Sequence, residues 1–191
     1  VRLLYPAVGD TWNSGLVVDY ASQPLREQQP GGPVVLVDSL VTSHVYGAVD
    51  QGQFRFDISY PFTAYGQDQI GGFASSGDTR LGAMWAFMPP ENGRPGVGAQ
   101  VLSWVPTGST SRWSGSPGLA VGSVLALAQE IGSFGYTVNA GVRMGANKQS
   151  RNVSAGSGPI GGVEVHYVLP VLDQMLAVGG EVAIQGATGF E

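Results

Sequence analysis

The sequence predicts an all-β fold, an antiparallel up-and-down transmembrane barrel. Three observations predict it: period-two alternation of apolar and polar residues, long extended segments, and short connections alternating with long ones. The alternation is sharpest in FRFDISYPFTAYG (54–66), where Phe54, Phe56, Ile58, Tyr60 and Phe62 interleave with Arg55, Asp57, Ser59, Pro61 and Thr63. Successive strand side chains point to opposite faces, so one face is apolar and the other carries charge. Either the apolar face packs a soluble core with the charges in bulk water, or it meets lipid with the charges inside a barrel.

Composition separates these two environments. Charged residues make up 12% of the 191-residue chain, about half the roughly 25% usual in soluble domains. Apolar residues reach only 43%, so the sequence is not uniformly greasy, yet it has too few charges to cover a soluble β-protein. Cysteine is absent, which excludes a disulfide scaffold and a cysteine metal cluster. A net charge of −5 without a basic cluster argues against a nucleic-acid partner. No apolar run reaches the roughly 18 residues of a transmembrane helix. The chain opens at Val1 without a basic n-region and apolar h-region, so an exported protein is expected here in its mature form, its signal peptide removed.

Nine extended segments follow one another, at 15–25, 34–50, 54–66, 78–89, 97–107, 118–131, 134–147, 160–172 and 175–187. Most exceed the roughly 5–6 residues typical of globular strands and suit the roughly 9–11 of a tilted strand crossing a bilayer. LAVGSVLALAQEI (119–131) admits a helical reading, but its glycine and its neighbours favour a strand. DQGQ (50–53), GS (132–133) and DQ (173–174) are short connections, and PPENGRPG (89–96) is the longest of that set. EQQPGG, QDQIGGFASSG, STSRWSGSP and KQSRNVSAGSGP are long and rich in Gly, Ser, Pro and Gln. Strict alternation of the two sets is what tight periplasmic turns and longer outer loops produce. An immunoglobulin-like sandwich has no reason to show it.

The same two-faced pattern recurs along the chain. Phe134, Tyr136, Val138, Ala140, Val142 and Met144 oppose Gly135, Thr137, Asn139, Gly141, Arg143 and Gly145. Val163, Val165, Tyr167 and Leu169 oppose Gly162, Glu164 and His166, and Leu176, Val178, Val182 and Ile184 oppose Glu181 and Gln185. VVLVDSLVTSHVYGAV is apolar on both faces in places, so its facing stays unassigned. The polar faces together predict a barrel-interior network of Asp19, Arg55, Asp57, Arg80, Gln100, Asn139, Arg143, Glu164, His166 and Glu181, with Gln185 beside it. Such charges are tolerable when they pair and hydrogen-bond. They read as a plug of ion pairs and water rather than a selective lining, because side chains nearly fill a barrel of about eight strands. Aromatic residues are expected in two girdles at the membrane interfaces: Phe54, Trp85, Phe87, Phe134 and Tyr136 near the turns, and Tyr60, Phe62, Tyr65 and Trp104 near the outer loops.

DYASQPL (19–25), GDTRLGAMWAF (77–87) and SWVPTG (103–108) resemble segments of the β-barrel that precedes a periplasmic OmpA-type peptidoglycan-binding domain in Gram-negative envelope proteins. The likeness extends over most of the chain, although its motifs are short and Gly-rich. It implies a porin-like or architectural protein of the bacterial outer membrane, with lipid and lipopolysaccharide as its surroundings and no catalytic residues to carry over. Contact with peptidoglycan would come through a further C-terminal domain; no OmpA-type domain follows here, and no terminal strand ends in an aromatic before Phe190-Glu191.

Other motifs point nowhere stronger. GSGPIG (156–161) matches a dinucleotide-binding pattern but lacks a surrounding βαβ unit. Asn152-Val153-Ser154 matches a glycosylation acceptor without a secretory context to use it. His44 and His166, the only histidines, stand on separate strands and would need carboxylates to complete a zinc site. No cofactor is therefore expected, and a non-enzymatic envelope or weak-pore protein is the leading expectation. A membrane-embedded lipid-modifying enzyme and a soluble lipocalin-like barrel are the alternatives, the former without a visible nucleophile elbow. The expectation is one barrel domain over 1–191, incomplete at its C-terminus. Single-chain bacterial barrels have even strand numbers, so nine strands predict an intact barrel of 10 to 12. Continuation past Glu191 is favoured over a strand in VRLLYPAV, whose Pro6, with the following Gly9, makes a long first strand awkward.

Overall fold

The computed structural model describes residues 10–29, 31–68, 71–90, 93–109, 115–145, 148–150, 153–169 and 177–185. VRLLYPAV lies outside them. The described elements are all strands: β1 (Thr11–Gln29), β2 (Gly32–Gln51), β3 (Phe54–Asp68), β4 (Gly71–Ser76), β5 (Thr79–Met88), β6 (Gly96–Val105), β7 (Ala120–Ile131), β8 (Phe134–Gly145), β9 (Lys148–Ser150), β10 (Val153–Ala155), β11 (Gly158–Val168) and β12 (Ala177–Gln185).

One antiparallel sheet runs in the order β1-β2-β3-β5-β6-β7-β8-β11-β12 and curls into a half-barrel. Each strand pairs with its neighbour in the chain, as an up-and-down barrel requires. The nine expected segments correspond to the nine strands of this path. Among the described residues, β1 and β12 each pair on one side only, and being first and ninth in an antiparallel series they run in the same direction.

The connections differ from expectation in one respect. Three of the four long ones are largely paired backbone: β1 and β2 extend to Gln29 and Gly32, β4 folds back on β3, and β9 pairs with β10. Gly, Ser and Gln weaken side-chain packing but leave the ladder hydrogen bonds intact, so loop-like composition did not prevent strand extension. Short turns at the other end are closed by Gly52 and Gly132, both at positive φ (58° and 62°), which a side chain would strain.

Curvature divides the residues by size. In β7, Ala120, Gly122, Val124, Ala126 and Ala128 are buried on the concave face, and Val121, Leu125 and Leu127 are exposed on the convex one. Concave side chains converge, and a small apolar cluster of Leu102, Val124 and Ile160 with Trp104 packs there. Inner glycines make room: Gly141 sits where an added Cβ would lie 2.1 Å from the Ser123 carbonyl oxygen of the adjacent strand. On the convex face, a Cβ at Gly47 would meet nothing nearer than 3.8 Å. Gly141→Ala is therefore expected to destabilise the fold by roughly 1–3 kcal/mol through overpacking, and Gly47→Ala to leave it nearly unchanged; denaturant unfolding midpoints of the two variants measure the difference.

Candidate functional site: the charged inner wall

The antiparallel register sets Thr11, Asp50 and Arg55 abreast, with Met84 and Gln100 completing the row. The next inward-facing row sets Asn13, Ala48, Asp57, Gly82 and Leu102 abreast. Polar side chains from five strands consequently meet on one stretch of wall. Asp57, 8% exposed, accepts hydrogen bonds from Arg80 Nη2 at 3.0 Å and Gln100 Nε2 at 2.9 Å. Arg55 lies 3.6 Å from Asp50 through Nη1 and donates to Asn13 Oδ1 at 3.3 Å through Nη2. Thr11 Oγ1 donates to Asp50 Oδ2 at 3.0 Å.

Gly82 makes the central contact possible. A Cβ there would lie 2.1 Å from Asp57 Oδ2 and 2.7 Å from Gln100 Nε2, so only a residue without a side chain lets the two groups meet across β5. The two carboxylates and two guanidiniums balance in charge, which offsets the cost of removing each from water. Hydrogen bonding is less complete: Asp50 Oδ1 and the Nε atoms of Arg55 and Arg80 are buried without a hydrogen-bond partner among the described residues.

The remaining expected interior residues divide into separate places. Arg143 stacks over the Trp104 ring, 4.9 Å from its centroid. Asn139 is buried at 7% exposure. His166 Nδ1 lies 3.8 Å from Glu164 Oε1 on β11. Asp19 lies 3.2 Å from His44 Nε2 at the β1 edge. Glu181 stands opposite Glu164 in the register of β12, and the described side chains do not include its own. The expected interior set is thus not one network: Arg55, Asp57, Arg80 and Gln100 are brought together, and the others are distributed around the wall.

Asn13, Asp50, Thr11 and His44 belong to this wall but were not among the expected residues. The phase of β2 was illegible because Val41, Val45 and Val49 face one way and Leu40, Tyr46 and Ala48 the other, so both faces read as apolar. Pairing with β3 fixes it, since Arg55 must have Asp50 beside it.

Most expected girdle residues lie on the convex face: Phe54, Tyr60, Trp85, Phe87 and Phe134 are exposed, with Phe62 and Tyr136 half-buried. Phe54 stacks on Trp85 at 6.5 Å, and Phe87 meets Trp85 edge-on at 5.7 Å. Tyr136 donates its hydroxyl to Gln129 Oε1 at 2.7 Å. Trp104 departs from the expectation: it faces the concave side, packed against Leu102, Val124 and Ile160. Its position demands this, because Gln100 and Trp104 are an even number of residues apart on β6 and so share a face.

No described protein family, curated protein or solved structure matches this chain.

Removing one partner of the central pair strands a buried charge. Arg80→Ala is expected to cost about 3–5 kcal/mol, whereas Arg94→Ala, in an exposed turn, should fall within about 0.5 kcal/mol of the parent. Paired denaturation curves read both.

Proposed function

We propose that this chain forms a non-enzymatic β-barrel of the bacterial outer membrane, with a structural role in the envelope or slow passage of small solutes. The observation that carries the reading is the separation of faces. Large apolar side chains stand exposed on the convex side of all nine barrel strands, among them Trp12, Val49, Phe56, Leu81, Val101, Leu125, Val138, Val165 and Val182. A monomer in water rarely exposes a contiguous apolar patch beyond a few hundred Å², whereas a bilayer requires one roughly 25 Å tall. Ten to twelve residues of tilted strand, as in β5 to β8, span about that height at roughly 3.3 Å per residue.

The aromatic cluster of Phe54, Trp85 and Phe87 at the short-turn end supports an interfacial position for that end. Outer-membrane lipid and lipopolysaccharide are the surroundings this reading implies. An envelope-anchoring role, with peptidoglycan reached through a further domain, follows from the OmpA-type resemblance. The Asp57 carboxylate is engaged by both the Arg80 guanidinium and the Gln100 amide, which suits a structural role in the wall better than a catalytic centre. A soluble lipocalin-like barrel would need Phe54, Phe56 and Tyr60 on the concave side, where Arg55, Asp57 and Ser59 stand.

Refolding tests the reading. The protein should require detergent or lipid to stay in solution and should migrate differently on a gel before and after heating; ready solubility in plain buffer would sink it. Leu125→Arg and Val138→Arg, on the convex face, should each weaken insertion by about 2–4 kcal/mol. Asn139→Ser, on the concave face, should leave insertion almost unchanged, and equal responses at the two faces would refute the assignment of faces.

A further inference from the structure

The connection between β6 and β7 joins neighbouring strands, and a direct turn would need to cross a single inter-strand gap. Its described parts, 106–109 and 115–119, reach much farther. Asp78, immediately before β5 and 9% exposed, accepts a hydrogen bond from Gly108 N at 3.1 Å on Oδ1 and from Ser116 N at 2.7 Å on Oδ2. Ser116 Oγ in turn accepts from Arg143 Nη2 at 3.1 Å, and Arg143 belongs to β8. From β5 to β8 there are three gaps of roughly 4.8 Å each. Arg143 shares the concave face with Trp104, over which it stacks. Ser116 therefore lies inside the curve, bridging the ends of β6 and β7 rather than projecting away from the rim.

Further bonds fix the first limb. Ser109 N donates to the Ser76 carbonyl at 3.1 Å, and Thr107 Oγ1 accepts from Thr79 N at 2.9 Å and donates to the Gly77 carbonyl at 3.1 Å. The two limbs touch: Gly115 N donates to the Ser109 carbonyl at 3.1 Å, and a Cβ at Gly115 would lie 2.4 Å from the Gly108 carbonyl carbon. Among the long connections this is the one whose described backbone forms no strand. Its order comes from a buried carboxylate instead of a ladder.

We propose that the two described limbs of this segment, 106–109 and 115–119, form a fixed strap that narrows the barrel at its long-connection end and limits solute passage, with Asp78 as its latch and Arg143 of β8 as its anchor. The proposal rests on the barrel reading given above. Both Asp78 oxygens are engaged by backbone N–H groups, so the carboxylate holds two points of the strap at once, and shortening it to a methyl releases both.

The cysteine-free sequence allows a clean test. In the full chain refolded into phospholipid vesicles, Ser116→Cys provides one reporter thiol, read by a membrane-impermeant maleimide; its sulfur accepts only weakly from Arg143, so labelling is compared against this single variant and influx is measured with Ser116 in place. Adding Asp78→Ala should speed its labelling roughly 10- to 100-fold, the shift that loss of a charge-assisted hydrogen bond gives to an open–closed equilibrium. Gly115→Val, which parts the limbs without touching a charge, should act in the same direction. In vesicle-swelling measurements with a small sugar, both changes should raise influx several-fold over the parent. Unchanged labelling would overturn the latch, and faster labelling without faster influx would overturn the limiting role. Protein that fails to float with the vesicles would remove the barrel reading itself, whereas unchanged influx in floated protein would remove the strap alone.

Discussion

The inside of a curled sheet has less room per residue than the outside, and the rest of this structure depends on that difference. A strand offers side chains equally to both faces, so the sequence must supply small or mutually engaged residues to one and bulky ones to the other. β7 meets the demand with Ala, Gly and Val inward and Val and Leu outward. Glycine is frequent, at 30 residues, and several of the glycines stand where a neighbour's side chain crosses the inner wall. Tyr46 crosses Gly15 in this way, Trp104 crosses Gly122, and His166 crosses Gly135. The large residue on one strand and the bare backbone on the next form a single packing unit.

Crowding also governs the charges. Asp57 and Arg80 come within 3.0 Å because they stand on adjacent strands, in rows one step apart on the same face. Gln100 joins them across Gly82. In a wall this tight a lone charge would carry its full desolvation cost, and the pairs that exist link β1, β2, β3, β5 and β6 by side chains in addition to their ladders. At the other end of the wall, Arg143 and Asp78 perform a different task, since each engages a segment of chain outside the sheet. Charged residues thus act in two ways here, fastening strand to strand and fastening a connection to the wall.

Much of this was legible in the residues. Period-two alternation in 54–66 and 134–145 placed those strands and the facing of Arg55, Asp57 and Asn139, because one face was plainly apolar. The up-and-down order of the sheet followed from nine extended segments whose short and long connections alternate. Less was legible where the pattern lost contrast. β2 carries apolar residues on both faces, so Asp50 and His44 emerge only through their register with β3. The contacts of Asp78 were hidden for another reason: its partners are backbone N–H groups, which leave no trace in a residue pattern. Loop-like composition also misled, for Gln, Gly and Ser do not forbid a ladder when a neighbouring strand is present to pair with, as β1 and β2 show beyond Val37.

That extension has a consequence for cleavage. A protease must bind several consecutive residues as an extended strand of its own, using backbone groups that are free to pair. Along β3 those groups are already engaged by β2 on one side and by β4 or β5 on the other, and β2 is flanked by β1 and β3 from Val37 to Asp50. Length beyond the wall does not by itself make these strands vulnerable. Among the long connections, the one from β6 to β7 has no ladder to protect its described residues, and a few bonds to side chains and carbonyls hold its limbs. Among the described residues, ladders hold most of the backbone, and how readily the β6–β7 connection is cut depends on how firmly the Asp78 carboxylate holds the backbone N–H groups of Gly108 and Ser116.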